Sequence, residues 1–274
     1  ALAATAEATG EKGFLDHAAE RAATTLSFQD PEGWFTEYQG CDPGYLTLTI
    51  AFLARLGQLA PGLVDEEPVL RAARFAARFS HPDGTFGGEY GSRNTYNFFP
   101  HGFEILGREH PELLAPATRF YQGMARGLAP CLDDDHILGH HAWSFLLSWK
   151  EFVAPRPEPP PLPQGRQWFP GAGLFVERRG DAHLVAGLAK GGVFKFFRGD
   201  SLVRSDTGVS LRLADGRRER TAVAHMQGGS QAELGQDAVT VSGSLAWTKQ
   251  ARMTPLKLVV LRLVMLLGGR FFPD

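Results

Sequence analysis

Residues 28–38 read FQDPEGWFTEY, and residues 79–90 read FSHPDGTFGGEY. These stretches are two copies of one loop, because their Phe, Pro, acidic, Gly, aromatic and Glu-Tyr positions recur in order at offsets of 51 to 52 residues. Farther on the offset returns to 51, which pairs Gly40 with Gly91 and Tyr45 with Tyr96. The flanking segments 13–26 and 66–79 carry apolar residues at helical spacing. The repeating unit is therefore a helix, a Pro/Gly-rich loop and a second helix.

Helical units that repeat at this length bury their apolar faces against their neighbours. Such an array forms either an open solenoid or a closed α/α toroid. A weaker third copy runs from residue 129 to 152. We therefore expect residues 1–153 to form a domain of α/α helical hairpins, equivalent to part of a toroid.

The second half of the chain has a different pattern. Residues 152–165 read FVAPRPEPPPLPQG, and proline favours an extended, stiff spacer, so we assign 154–165 as a linker. Beyond it, short apolar or alternating runs separated by Gly-rich turns predict strands, and we include the apolar run 256–266 among them. The fold class is therefore α+β, with an antiparallel β-sandwich domain over 166–274. We expect this domain to continue past Asp274.

Composition and charge exclude several classes of protein. Of the 274 residues 43% are hydrophobic and 21% charged, which excludes a disordered tail. The net charge of −2 argues against a nucleic-acid partner, although residues 1–154 carry −9 and residues 166–274 carry +7, a charge that would attract an anionic substrate. No apolar stretch is long enough to predict a membrane span. The compartment stays open: periplasmic or secreted if a signal peptide was removed, otherwise cytoplasmic.

Polar chemistry is concentrated in the second loop. Residues 87–104 read GGEYGSRNTYNFFPHGFE and contain carboxylates, phenols, a guanidinium, amides and an imidazole. In the first copy, Asp42, Pro43 and Ile50 stand where the second has Arg93, Asn94 and His101. Departures from a repeat are less readily explained by shared architecture. The residues that both copies share have a structural explanation as turn glycines, packing aromatics and helix caps: Gly33, Gly84, Trp34, Phe86, Glu37 and Glu89.

A second cluster, DDDHILGHH over residues 133–141, is open to two interpretations. His136 and His140 are four residues apart, a spacing that suits a divalent metal. Three successive aspartates are also typical of an exposed loop at the start of a helix, and we assign no metal. The sequence has no dinucleotide fingerprint, Walker lysine motif or nucleophile elbow. We therefore predict no cofactor.

The stretches EGWFTEYQGCDPGYLTL, HPDGTFGGEYGSRNT and GLFVERRGDAHLVAGLAKGGVFKFFRGDSLVRSDTG resemble the C-terminal parts of heparinase II/III-like proteins and their polysaccharide-lyase relatives. The resemblance covers most of the chain. It implies β-elimination on an anionic, uronate-containing glycan, in which a phenol or imidazole moves protons and amide or cationic groups neutralise the carboxylate. It maps the catalytic roles onto Arg93, Asn94, Tyr96 and His101. We expect the substrate-binding residues to be Tyr38, Tyr45, Glu89, Tyr90, Glu104 and His140.

Two other functions stay open. A glycoside hydrolase would use two carboxylates from among Glu37, Asp42, Glu89 and Glu104. A non-catalytic glycan-binding or assembly protein would stack sugar rings on Trp34, Tyr38 and Tyr90. A terpenoid cyclase is disfavoured, because Arg93, Asn94, Asn97 and His101 suit an oligosaccharide better than an apolar cavity. In all three functions that stay open, the expected partner is an acidic polysaccharide or oligosaccharide.

Overall fold

A computed structural model describes residues 1–37, 40–128, 135–215, 218–224, 229–248 and 254–268. These residues form helices up to the proline-rich segment and mainly antiparallel sheets after it, which confirms the α+β class. The helices are α1 Leu2–Thr9, α2 Gly13–Leu26, α3 Pro43–Leu59, α4 Glu66–Ala77, α5 His101–Leu106, α6 Leu114–Ala125, α7 Asp135–Glu151 and α8 Pro255–Gly268. Among them, none is long and apolar enough to cross a membrane.

Side-chain caps fix where two of these helices begin. The Asp42 carboxylate accepts hydrogen bonds from the backbone N–H groups of Gly44 and Tyr45, at 2.8 and 3.0 Å, and so caps α3. Pro43 occupies the first turn, where its missing N–H costs nothing. The Asp65 carboxylate caps α4 through the N–H of Glu67.

The repeat is confirmed in three dimensions. In the first copy Gln29 bridges to Phe35, and in the second Ser80 bridges to Phe86, both antiparallel and 51 residues apart. Each turn contains a glycine with positive φ, +107° at Gly33 and +85° at Gly84. The copies diverge after the turn, because α3 starts at residue 43 whereas α5 starts at residue 101. The proposed third copy includes residues 129–134, which lie outside the described part of the chain.

The strands of the described residues form three antiparallel sheets. The largest is a five-stranded meander in the order β1-β2-β3-β4-β5. A three-stranded sheet has the order β10-β7-β6, and β8 pairs with β9. The strands are β1 Gly165–Phe169, β2 Leu174–Arg179, β3 Ala182–Gly187, β4 Val193–Arg198, β5 Ser201–Asp206, β6 Ser210–Asp215, β7 Arg218–Val223, β8 Gln231–Leu234, β9 Val239–Ser242 and β10 Ala246–Thr248.

The apolar run 256–266 was expected to be a strand, and this expectation is wrong: it lies in helix α8. Leu, Lys, Arg and Met favour a helix over a strand, and the run is longer than most strands. Its apolar side chains are exposed, so α8 adds nothing to the core.

One apolar core is shared by the helices and the large sheet. Its members come from helices α3, α4, α5 and α6, from the loops of the two repeats, and from strands β2, β3 and β4. Phe169 of β1 packs edge-on against Phe75 of α4, with ring centroids 5.0 Å apart. The large sheet is therefore packed directly on the second half of the helical array, beside the second loop.

Candidate functional site

Backbone hydrogen bonds within the second loop hold it in a compact conformation beside the sheet. The N–H of Gly88 donates to the carbonyl of Thr95 at 2.7 Å, and the N–H of Gly91 donates to the carbonyl of Gly88 at 2.9 Å. Gly87 and Gly88 have backbone φ angles of +79° and +114°, which residues other than glycine rarely adopt. This backbone directs Glu89 and Tyr96 towards strand β4.

Glu89, Tyr96 and Lys195 meet at the contact between loop and sheet, and we call these three residues the junction cluster. The Lys195 ammonium donates to the Tyr96 phenol oxygen at 2.9 Å and lies 3.1 Å from Oε2 of Glu89. The phenol in turn donates to Oε1 of Glu89 at 3.1 Å. Lys195 and Glu89 are buried and Tyr96 is half-buried. The cluster is a closed triangle of a cation, an anion and a phenol.

The electrostatics of the junction cluster favour an ionised pair. Burial raises the pKa of the Glu89 carboxyl, but hydrogen bonds from Ser205 and from the Glu89 backbone, together with the Lys195 charge, outweigh it, so that the pKa lies below its usual value. The Tyr96 oxygen lies 2.9 Å from the Lys195 ammonium and 3.1 Å from Oε1 of Glu89. The phenol therefore sits between two opposite charges.

Gly88 provides the room that Lys195 needs. A Cβ at this glycine would lie 2.4 Å from Cε of Lys195 and 3.3 Å from a ring carbon of Tyr96. The absence of a side chain at Gly88 therefore lets the lysine pass the loop and reach Glu89.

A second lysine holds the same loop. The Lys190 ammonium donates to the carbonyl of Glu89 at 2.9 Å and to the carbonyl of Gly91. Burial lowers the pKa of Lys190, and the charges of Asp42 and Glu89 act against that shift. Lys190 thus fixes the loop backbone from the sheet side.

Asp42 links the two repeat loops by hydrogen bonds. Besides capping α3, this buried carboxylate accepts from the Ser92 N–H at 2.5 Å and from the Ser92 hydroxyl. Tyr45, in the first turn of α3, is partly buried beside this link. Tyr38, another expected substrate-binding residue, lies outside the described residues.

Asn94 is exposed and has a φ of +56° at the end of a 3-10 helix that spans Ser92–Asn94. Asn tolerates this left-handed conformation better than most residues, which gives Asn94 a local structural role. Nothing is described of the Arg93 side chain. The backbone places both residues on the exposed turn that precedes Tyr96.

Tyr90 has an interior position. Its phenol is 2.8 Å from Nε2 of His81 and accepts from the N–H of Gly87 at 3.1 Å. Burial raises the pKa of Tyr90 well above its usual value. Only 1% of Tyr90 is exposed, so the structure does not bring it to a surface where a sugar ring could stack.

His101 is also interior. It is fully buried at the start of α5, edge-on to Trp143, and neither of its ring nitrogens has a hydrogen-bond partner in the described part of the chain. Burial, and the nearby Arg55 charge, lower its pKa to about 4, although Glu151 acts in the opposite direction. The structure therefore does not join His101 to the junction cluster by any described contact.

Glu104 belongs to a separate buried network. Its carboxylate pairs with the Arg156 guanidinium, which is 2.9 Å from Oε1, and accepts from the Tyr121 phenol at 3.0 Å. Phe152 stacks on that guanidinium. The network ties the proline-rich segment to α5 and α6, which explains Glu104 structurally. The side chain of His140, and residues 129–134, lie outside what is described.

Sequence reasoning missed Lys190 and Lys195, because it treated the basic half only by its net charge. A signal was present for Lys195. In β4 the alternate residues Val193, Lys195 and Phe197 are buried, so the alternation of VFKFFR places a lysine on the buried face of a strand. A buried lysine requires a partner, and this requirement alone points to an acidic residue opposite it.

No protein-family model matches the chain, and no curated protein or solved structure is significantly similar to it.

Proposed function

We propose that this protein acts as a polysaccharide lyase on an anionic, uronate-containing glycan, with Tyr96 as the base. The observation that carries the proposal is the 2.9 Å hydrogen bond from the Lys195 ammonium to the half-buried Tyr96 phenol. In β-elimination a base removes the proton α to the uronate carboxylate, a double bond forms, and the bond from the ring to the bridging oxygen breaks. The departing oxygen takes up a proton from the protonated base or from water. A phenol can act as this base when a nearby cation stabilises its anion.

The remaining residues have distinct roles in this mechanism. Glu89 holds Lys195 in place through the ion pair at 3.1 Å. Asn94, on the exposed turn before Tyr96, donates its amide to the substrate carboxylate, on which negative charge grows as the proton leaves. Arg93 is assigned the same task by the family resemblance. The partial α/α toroid and the β-sandwich belong to this proposal as the architecture expected of such lyases.

The test uses a pair of matched variants. Tyr96→Phe removes a phenol that donates to Glu89 at 3.1 Å, and Tyr121→Phe removes a phenol that donates to Glu104 at 3.0 Å. Both variants lose one phenol–carboxylate hydrogen bond, but only the first loses the proposed base. On acidic polysaccharides, Tyr96→Phe should lower turnover by about 10²–10⁴, the usual contribution of a general base, while Tyr121→Phe retains it.

The measured signal is the ultraviolet absorbance of the unsaturated uronate at the new chain end. Asn94→Ala should lower turnover by about 10²–10³ in the same assay, as for the loss of one oxyanion donor. Equal rates for Tyr96→Phe and Tyr121→Phe would contradict the proposal. New reducing ends without the absorbance would indicate a hydrolase instead.

The burial of His101 favours a second candidate, a glycan-binding protein without catalysis. A lyase must also return a proton to the leaving sugar, and this fully buried imidazole has no described contact with the junction cluster. A binding protein would retain acidic polysaccharide and release neither unsaturated product nor reducing ends.

A further inference from the structure

Helix α4 and its C-cap residue expose a row of arginines beside the sheet. Arg71, Arg74 and Arg78 are spaced by three and four residues, which places them on one face over about 10 Å of helix length. All three are exposed, and we call them the arginine ridge. The ridge is distinct from the junction cluster.

Little of the charge on the ridge is neutralised. Arg71 donates to the neutral amide oxygen of Gln29 at 2.7 Å. Arg74 pairs with Glu112 at 3.4 Å, and both side chains are largely exposed. The side chain of Arg78 has no hydrogen-bond or ion-pair partner among the described residues. An exposed ion pair is weak, so the ridge is available to an anionic ligand.

Two grooves flank the ridge, and Arg74 and Arg78 border both of them. One, of about 480 Å³, has Gln167 and Trp168 of β1 on its far side. The other, of about 310 Å³, runs beneath the proline-rich segment and includes the guanidinium of Arg119.

Further polar groups in these grooves suit an anion. The Ser80 hydroxyl, in the second groove, is buried without a hydrogen-bond partner in the described chain. Arg119 donates to the carbonyl of Pro160 at 2.6 Å, which orients its guanidinium without neutralising it. Two carboxylates also border the grooves, Glu32 the first and Glu112 the second. Glu32 is held by the N–H groups of Gly171 and Ala172, each at 2.9 Å, and Glu112 pairs with Arg74.

We propose that the arginine ridge binds an acidic polysaccharide chain, with carboxylate or sulfate groups on the guanidiniums and a sugar ring against Trp168. This inference rests on the proposed function, because it names a binding surface for the same class of substrate. Guanidinium forks match carboxylates and sulfates in shape as well as charge. Three arginines would make only a few phosphate contacts with a nucleic acid, against the six to ten of a strongly salt-dependent DNA-binding protein.

The test measures equilibrium binding of the full chain to polygalacturonate, heparin, dextran and single-stranded DNA. Arg78→Gln is compared with Arg21→Gln, which removes an exposed arginine from α2 in the same half of the chain. Losing one charge-assisted contact corresponds to about ten-fold in affinity. We expect that loss for Arg78→Gln on polygalacturonate or heparin, a larger loss for Arg71→Gln/Arg78→Gln, and no loss for Arg21→Gln.

Each contrary result overturns the inference. Equal losses of affinity for Arg78→Gln and Arg21→Gln would show that the arginine ridge does not bind the glycan. Equally tight binding of the DNA would show that the surface binds polyanions in general rather than an acidic glycan. Failure of the proposed function is separable, because binding is measured without turnover. If the parent protein forms no unsaturated product while the Tyr96→Phe protein still binds glycan through the arginine ridge, that result would refute the lyase proposal and support the arginine ridge as a binding surface.

Discussion

The two copies of the repeat loop hold a glutamate at the same position in different electrostatic surroundings. In the first copy burial raises the pKa of Glu37; a hydrogen bond from Thr49 lowers it and the charge of Asp42 raises it further. In the second copy the pKa of Glu89 is lowered, because Ser205 and Lys195 from the sheet outweigh burial. The sheet therefore turns one copy of a common structural residue into a member of a charged cluster.

The same comparison explains where the chemistry of the second copy comes from. The first loop leads directly into α3 at its Asp42 cap, whereas the second copy continues without regular secondary structure over residues 95–99 before α5. This segment corresponds to the start of α3 in the first copy. It carries Tyr96 and is held by the N–H of Phe99, which donates to the Thr47 hydroxyl at 2.9 Å. An interruption of the repeat thus presents the phenol to the sheet.

The largest effect is expected from removing the cation that distinguishes the two glutamates. Lys195→Met leaves the Glu89 carboxylate buried without its partner, which should lower the free energy of unfolding by about 3–5 kcal/mol. Urea denaturation at neutral pH measures this loss. Adding Glu89→Gln to Lys195→Met should recover much of it, since no unpaired charge remains.

The first copy supplies the control for that experiment. Glu37→Gln should change the free energy of unfolding by less than about 1 kcal/mol, because Glu37 has one described side-chain hydrogen bond, from Thr49, and no described ion pair. An equally large loss for Glu37→Gln and Lys195→Met would show that the two sites do not differ as the contacts indicate.

A second contrast concerns His101 and Ile50, which stand at matching positions of the two copies and are both fully buried. The pKa of His101 is about 4 in the folded chain, against 6.5 ordinarily, so the unfolded chain binds more protons between these values. Its contribution to stability is complete above about pH 6.5 and is lost as the pH falls towards 4.

Replacing His101 by the kind of residue found in the first copy isolates that contribution. His101→Leu should flatten the dependence of the unfolding free energy on pH between about 6.5 and 4. The pKa of His183, also about 4 because of burial, keeps a similar part of the acid sensitivity in the variant. An unchanged pH profile for His101→Leu would show that this imidazole is not a buried neutral group.

The parts of the molecule that local residue patterns determine were predictable. The repeat, its turn glycines and the change from helices to strands at the prolines follow from spacing and backbone preference. The junction cluster was only half predictable, because Lys195 is 99 residues from Tyr96 in sequence. Contacts at this distance depend on how the sheet packs, which periodicity does not specify.

Burial also separated residues that looked alike in the sequence. Tyr90 and Tyr96 are both phenols in one polar loop, but Tyr90 bonds to His81 in the interior and Tyr96 bonds to Lys195 at the junction. Glu89 and Glu104 also have different partners, because Glu89 pairs with Lys195 and Glu104 pairs with Arg156. Composition predicted that the second loop is rich in polar side chains. Tertiary packing determines which of these side chains lie in the junction cluster and which lie in the interior.

The smallest expected difference lies in the turn that both copies share. A Cβ at Gly84 would lie 2.4 Å from the carbonyl oxygen of Arg119, whereas a Cβ at Gly33 would lie 3.0 Å from that of Arg71. Both positions have positive φ, so alanine is strained at each. We expect Gly84→Ala to cost about 3 kcal/mol of unfolding free energy and Gly33→Ala about 1–2 kcal/mol.

Gly10 separates the strain from the crowding in this comparison. It has a φ of +77°, and an added Cβ would meet no atom within 4 Å, so Gly10→Ala reports the backbone penalty alone. Denaturant midpoints of the three variants should fall in the order Gly10→Ala, Gly33→Ala, Gly84→Ala, with Gly84→Ala the least stable. Because the atoms that crowd Gly84 are backbone atoms of α6, they have little room to move aside. Equal losses at Gly33 and Gly84 would mean that α6 yields as readily as α4 and that the second turn is no more tightly enclosed than the first.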